Sequence, residues 1–206
     1  MIHRTKRRVA VLASGRGSNL QSLLDACAEP GFPAAIELVI VNVPGAFALE
    51  RAAKAGVRAR LIDHKRYATR EAFDAALDEA LREADIELVC LAGFMRMLTP
   101  GFTKAWEGRM INIHPSLLPA FPGLHTHRRA IEAGMAEHGC TIHFVTAELD
   151  AGPTVLQARV PVLPGDDEAT LAARVLAEEH KLYPAALRLV AEGKVRLAGD
   201  RVERFG

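Results

Sequence analysis

Arg8-Val9-Ala10-Val11-Leu12-Ala13-Ser14-Gly15-Arg16-Gly17-Ser18-Asn19-Leu20 is the stretch whose reading decides the fold. It opens as a short apolar run, passes through a glycine loop and continues as a helical pattern from Leu20. Strand, glycine loop and helix in that order make an anion site, because free backbone N–H groups and the helix dipole point at the loop. A dinucleotide fingerprint is the obvious rival. Gly15 and Gly17 match it, but Leu20 occupies the third glycine position. After the next strand-like run the chain has Asn42, where an acid would hold a ribose hydroxyl. No Gly-Lys-Ser/Thr is present, which excludes a nucleoside-triphosphate loop. A plain phosphomonoester fits better.

Working outward, strand-like and helical runs alternate. Strands are predicted at Arg8–Ala13, Ile36–Asn42, Arg60–Ile62, Leu88–Ala92 and Met110–His114. Helical patterns fill the gaps at Leu20–Ala28, Phe47–Ala55, Arg70–Glu83 and Pro100–Trp106, with Thr69 as a cap and Gly56 as a stop. Such alternation predicts an α/β fold: a mostly parallel, twisted, Rossmann-like sheet with helices on both faces. Ligands then bind beyond the carboxyl ends of the strands, where the glycine loop, Gly93 and His114 fall. Further on, Cys140–Thr146 and Thr154–Val162 read as antiparallel or mixed strands. Glu168–Glu192 reads as a long helix that Pro184 kinks or splits into two. Lys194–Phe205 reads as a closing hairpin around Gly199-Asp200. One domain over 1–206 is expected, with a phosphate-binding half to about residue 110 and a second half from 111 to 206.

The chemistry concentrates in Asn112-Ile113-His114-Pro115. Pro115 cannot continue a sheet ladder, so the strand ends at His114 with its imidazole at the carboxyl edge. Asn112 and His114 are two apart and leave the same face. One is an amide that can donate to a developing oxyanion. The other is a proton carrier with an ordinary pKa of roughly 6.5. Acyl or formyl transfer needs both, since its tetrahedral intermediate carries charge on oxygen while protons move on nitrogen. Taken alone, the pair could merely cap a strand. Asp150, followed by Ala151-Gly152-Pro153, falls on a loop at another strand end. It is either a turn residue or the carboxylate that orients His114 and favours its charged form.

Five separated segments carry a wider resemblance: Ser14-Gly15-x-Gly17-Ser18-Asn19-Leu20, Ala92-Gly93-Phe94-Met95-Arg96, Asn112 to Pro119, Pro122-Gly123-Leu124-His125-Thr126-His127 and Leu149-Asp150-x-Gly152-Pro153. In this order, from about Val9 to Pro184, they resemble the phosphoribosylglycinamide formyltransferases, the folate-dependent transformylases of purine biosynthesis. The resemblance implies a phosphoribosyl substrate with a free glycinamide amine, and 10-formyltetrahydrofolate as co-substrate. It assigns Gly17, Ser18, Asn19 and Glu179 to the ribonucleotide. It assigns Arg70, Met95, Arg96, Met97, Leu98, Asn112, Thr146, Ala147, Glu148, Leu149 and Asp150 to the folate. Asn112, His114 and Asp150 become the catalytic trio. Three details depart from the usual pattern: Arg16 between the loop glycines, Val43-Pro44-Gly45 after the second strand, and Ala151 where glycine is frequent. Arg16 either adds charge to the phosphate site or lies in solvent. Ala151 leaves the backbone geometry of the folate loop open.

Bulk properties narrow the alternatives. A chain of 206 residues with a net charge of +1 has no nucleic-acid or anionic-membrane footprint. The basic start His3–Arg8 is followed by an apolar run too short for a secretory signal, and no stretch approaches a membrane span. Cys27, Cys90 and Cys140 form no Cys-x-x-Cys and read as buried hydrophobes in a reducing cytoplasm. A metal at His114, His125 and His127 is disfavoured, because no carboxylate or thiol stands at ligand spacing. Arg96 alone is either a strand-end ion-pair residue or a folate contact. Ser14 and Ser116 lie outside any Gly-x-Ser-x-Gly, which argues against a serine hydrolase. A formyl-folate hydrolase would keep the same trio but usually carries a domain before the glycine loop, where only about eight residues stand here. An initiator-tRNA formyltransferase would need a basic carboxy-terminal domain. A non-catalytic phosphate-binding module leaves the trio without a role. Small-molecule substrates, a monomer or homodimer, and no resident metal are therefore expected.

Overall fold

The computed structural model describes residues 5–206, so the beginning of the basic run His3–Arg8 lies outside the described residues. Nine strands and six helices follow in the order β1 (Arg7–Ala13), α1 (Ser18–Ala28), β2 (Ala34–Val41), α2 (Ala48–Lys54), β3 (Arg58–Leu61), α3 (Arg70–Glu83), β4 (Leu88–Leu91), α4 (Pro100–Ala105), β5 (Met110–His114), α5 (Thr126–Glu132), β6 (Glu137–Phe144), β7 (Thr154–Pro161), α6 (Glu168–Ala191), β8 (Val195–Ala198) and β9 (Arg201–Arg204). A short 3-10 turn, His64–Arg66, joins β3 to α3.

Seven strands form one sheet in the order β3-β2-β1-β4-β5-β6-β7. The first five are mutually parallel, and β6 and β7 are antiparallel additions. The predicted architecture is therefore the observed one. Along β1 the two core faces alternate with the pleat: Val9, Val11 and Ala13 point into one cluster, Ala10 and Leu12 into the other. Leu20, Leu23 and Leu24 of α1 pack with Leu171, Val175 and Leu187 of α6 on the first face. Phe73, Leu77 and Leu81 of α3 pack with Phe102 and Trp106 on the second. Burial on both faces is why β1, β4 and β5 read as nearly continuous apolar runs rather than alternating ones.

The chain moves from β1 outward through β2 and β3, then returns to place β4 on the other side of β1. That reversal opens a crevice at the carboxyl ends of β1 and β4, the usual ligand position in an open α/β sheet. Tyr183 on α6, wholly buried, sets the spacing of the next pair of strands. Its hydroxyl lies 2.9 Å from the Leu91 carbonyl of β4 and 3.1 Å from the Ile111 carbonyl of β5.

Two expectations change. No second helix begins at Pro184, because α6 runs unbroken through it for 24 residues. An interior proline costs about 3 kcal/mol in an isolated helix. Here Leu171, Val175, Tyr183, Leu187 and Val190 bury one face of α6 against the sheet on both sides of the proline, and this packing keeps the helix continuous. The second change is α5, a seven-residue helix over Thr126–Glu132 that lay unread in the loop after His125. The hairpin around Gly199-Asp200 forms as a separate two-stranded sheet, β8-β9.

Candidate active site

At the carboxyl ends of β1, β4 and β5 lies a cleft of about 720 Å³. Its rim carries the exposed apolar side chains Met95, Met97, Leu124 and Leu149, and its lining includes the polar groups Asn19, Asn112, His114, His143, Asp150 and Glu179.

Asn112 and His114 share a face of β5, as their spacing predicts. Pairing with β6 sets His143 directly across from Asn112. The Asn112 Nδ2 lies 3.2 Å from His143 Nε2, and the other ring nitrogen, Nδ1, lies 2.9 Å from the Phe144 carbonyl. A carbonyl can only accept, so Nδ1 carries the proton and Nε2 accepts from Asn112. Burial pushes the His143 pKa down, which keeps the ring neutral and able to accept. One amide N–H of Asn112 is thereby held, and the other remains for a ligand.

His114 is enclosed by acceptors. Nδ1 lies 3.4 Å from Asp150 Oδ2, and Nε2 lies 3.0 Å from the Phe121 carbonyl. Both ring nitrogens therefore face oxygen acceptors, which fix the orientation of the ring. Both partners are deeply buried, with side chains 6% and 8% exposed. Asp150 also accepts from the Gly123 N–H at 2.9 Å, and its other oxygen lies 3.9 Å from His143 Nε2. The backbone around the cage is held in an uncommon state. Phe121, His125 and Asp150 have φ of 54°, 57° and 52°, a left-handed conformation in which non-glycine residues cluster at functional sites. The positive φ falls on Asp150 rather than on Ala151, so alanine at 151 costs no backbone strain there.

The remaining predicted residues divide. Asn19, Glu179, Met95, Arg96, Met97, Leu98 and Thr146 to Asp150 all line the cleft. Asn19 Nδ2 donates to Glu179 Oε2 at 2.7 Å, which leaves the buried Asn19 Oδ1 without a protein partner. Burial pushes the Glu179 carboxyl up, and the Asn19 bond partly offsets this. Arg96 makes no ion pair with an acid among the described residues; its guanidinium lies 5.2 Å from the Phe73 ring centroid. Arg70 is not brought into the cleft. It is the exposed first residue of α3, whose Thr69 cap accepts from the Ala72 N–H.

Gly17 and Ser18 lie at the α1 N-terminus, outside the main cleft lining. Ser18 instead borders a second depression of about 530 Å³ with Arg51, His180 and Lys181. Arg51 Nε donates to the Arg16 carbonyl, while the Arg16 side chain is exposed. The need for glycine at 17 has an internal cause: φ is +67°, and a Cβ would lie 3.0 Å from that of Ala48 on α2. Sequence reading missed His143 and the Phe121 carbonyl. His143 sits inside an apolar run, and only strand register shows that it faces Asn112. Among the described residues, no cluster of three or more His, Cys, Asp or Glu could hold a metal ion, and no helix is long and apolar enough to cross a membrane.

A profile of the formyl transferase family matches residues 7–187. The chain belongs to the formyl transferase family. Among relatives within it, the phosphoribosylglycinamide formyltransferase of Escherichia coli (strain K12) is 46% identical over 92% of this chain and 89% of its own. The trifunctional purine biosynthetic protein adenosine-3 of Homo sapiens is 52% identical over 93% of this chain. The chain spans only 19% of that human protein and 15% of its Drosophila pseudoobscura pseudoobscura counterpart. The crystal structure of glycinamide ribonucleotide transformylase 1 from Symbiobacterium toebii superposes with a TM-score of 0.95, at 50% identity, over 98% of this chain and 95% of that one. This family member therefore shares its whole sheet with solved transformylases.

Burial depresses several imidazoles besides His143. The His127, His138 and His180 pKa values are all lowered, with His138 brought to about 4. The unfolded chain protonates these rings near pH 6.5, whereas the folded chain does not. Stability is therefore highest above that value and falls as pH drops, continuing for His138 to about pH 4. Glu179 acts in the opposite direction, as one carboxyl against four rings. Urea unfolding is expected to show a lower midpoint at pH 5 than at pH 7.5, and equal midpoints would contradict this reading of the histidines.

Proposed function

We propose that the protein transfers the formyl group of 10-formyltetrahydrofolate to the glycinamide amine of 5′-phosphoribosylglycinamide, in the cytoplasm and as a step of de novo purine biosynthesis. One observation carries the reading: Asn112, His114 and Asp150 converge in a cleft that also contains Asn19 and Glu179 and opens beside the α1 N-terminus. The cytoplasmic assignment accords with three free, buried cysteines.

The folate supplies the formyl carbon on N10, and the ribonucleotide supplies the attacking amine. The phosphate sits against the first amides of α1, with Ser18, Arg51 and His180 beside it. Asn19 Oδ1, buried and unpartnered, accepts from a hydroxyl or amine of the ribonucleotide, and Glu179 holds the Asn19 amide in place. Apolar Met95, Met97 and Leu149 cover the folate ring. Attack of the amine puts negative charge on the formyl oxygen. The free N–H of Asn112 meets that oxygen, and charged His114 stabilises it at short range. A ligand oxygen that replaces the Phe121 carbonyl at Nε2 receives the proton-bearing side of the ring. Asp150 holds the His114 ring in place while the amine loses a proton and N10 gains one on leaving. Transfer is direct. No serine or cysteine lines the cleft, and burial pushes the Cys27 and Cys140 thiols up to about 12, so they stay protonated.

Incubation with formyl-folate, with and without glycinamide ribonucleotide, tests this reading. Formyl transfer that depends on the ribonucleotide is expected; formate release without it would make the protein a hydrolase. A second check uses Ser18, which avoids the packing problem at Gly17. Ser18→Ala should weaken the ribonucleotide by about 1.5–3 kcal/mol, one charge-assisted hydrogen bond, and leave the folate KM alone. Equal losses for both ligands would move the phosphate elsewhere.

A further inference from the structure

We propose that Ser14 is a positioning residue that ties the start of the glycine loop to the Met95–Leu98 wall of the cleft and so holds that wall in place. The inference rests on the reading of that wall as the folate side. Ser14 directly follows β1 at the switch point of the sheet, one residue before Gly15. Its backbone N–H donates to the Gly93 carbonyl at 3.0 Å. Its hydroxyl accepts from the Met95 N–H at 2.8 Å and donates to Asn42 Oδ1 at 2.6 Å. A hydroxyl has one proton to give, and here Asn42 takes it, so the oxygen's lone pairs are aimed at Met95. Asn42 is itself fixed: it is 1% exposed, and its carbonyl lies 2.7 Å from His64 Nδ1. The position at which a dinucleotide enzyme presents an acid to ribose is thus turned inward in this chain, and braces the serine.

The wall needs such a brace. Between β4 and α4 the backbone has no regular structure, yet Met95 and Met97 are 68% and 55% exposed. Nothing in a helix or ladder holds these apolar side chains at the cleft. The far end of the segment is pinned in the same manner, by Asp74 of α3, whose Oδ2 accepts from the Thr99 N–H at 2.6 Å. Side chains of Ser14 after β1 and of Asp74 on α3 therefore clamp both ends, and the first clamp sits at the start of the glycine loop.

Ser14→Ala, with Ser14→Thr as the hydroxyl-retaining control, tests the clamp in the full-length protein. Losing the acceptor should raise the folate KM about tenfold, with kcat at saturating folate reduced less than threefold. In the ligand-free protein the Met95 amide should exchange with solvent deuterium faster. Ser14→Thr should restore both. Unchanged Met95 exchange in Ser14→Ala overturns the proposal, as does an equal rise in KM for both ligands. The parent reading has its own control. A non-reactive folate analogue with carbon at position 10 should protect the Met95–Leu98 amides of the unmutated protein. Failure to protect them would remove the folate from this wall, whereas the ligand-free exchange of Ser14→Ala reports on the clamp independently.

Discussion

Asp150→Asn is expected to preserve the fold and ligand affinity while cutting turnover on the order of 10²–10⁴-fold, the range for loss of general acid–base help. Asparagine suits the backbone, since it tolerates the left-handed conformation that Asp150 adopts at φ 52°. Its carbonyl oxygen can still accept from the Gly123 N–H. What it removes is the negative charge 3.4 Å from His114 Nδ1. The imidazole then loses the carboxylate that orients it beside the developing oxyanion. Asn112→Ala should lower turnover as well, through loss of the N–H that meets the developing oxyanion. An Asp150→Asn enzyme with near-normal kcat would reduce Asp150 to a loop anchor for Gly123.

Gly152→Ala should be the most damaging of the glycine substitutions near the cleft. A Cβ there would lie 1.7 Å from the Phe144 carbonyl oxygen, a backbone atom that no rotamer change can move aside. Relief requires parting β6 from the start of β7, where the Phe144 N–H donates to the Pro153 carbonyl at 3.0 Å. Overpacking costs about 1–3 kcal/mol in ordinary cores, and an immovable carbonyl puts this case at about 3 kcal/mol or above. For a chain of this size that lowers Tm by about 6–12 °C. The folate KM should rise as well, because the displaced strand end carries Thr146 to Asp150. Gly165→Ala is the comparison: its φ is +84° but nothing lies within 4 Å, so only backbone strain of about 1–2 kcal/mol applies. Similar Tm values for the two variants would show that β6 and β7 yield easily.

The parallel half of the sheet was legible because β1, β4 and β5 are buried on both faces and threonine side chains cap α3 and α4. Arg70–Glu83 and Met110–His114 were read to the residue, since Thr69 and Pro115 mark boundaries that chain chemistry imposes locally. Asn112, His114 and Asp150 were legible as residue types beside strand ends. Their arrangement was not, because it depends on the β5–β6 register and on Phe121, whose contribution is a carbonyl that any residue would carry. His143 was hidden for the same reason. Pro184 misled because local propensity argues for a break that tertiary packing overrides. Arg70 was assigned by resemblance alone, and the structure leaves it on the surface.

The two edges of the main sheet differ in a way that bears on behaviour at high concentration. Beside β7, Arg204 of the terminal hairpin donates to the Val155 carbonyl, so this edge is partly covered. The other edge, β3, is exposed along all four residues, Arg58 to Leu61. An open strand edge is a template for pairing with another chain. Two features blunt it here: the strand is short, and it carries Arg58 and Arg60. Two such edges brought together would set like charges against each other, which discourages intermolecular strand addition and leaves Leu61 too little apolar surface to drive it. Replacing both arginines with threonine would keep the strand's shape, remove that repulsion and make this edge the place from which aggregates grow.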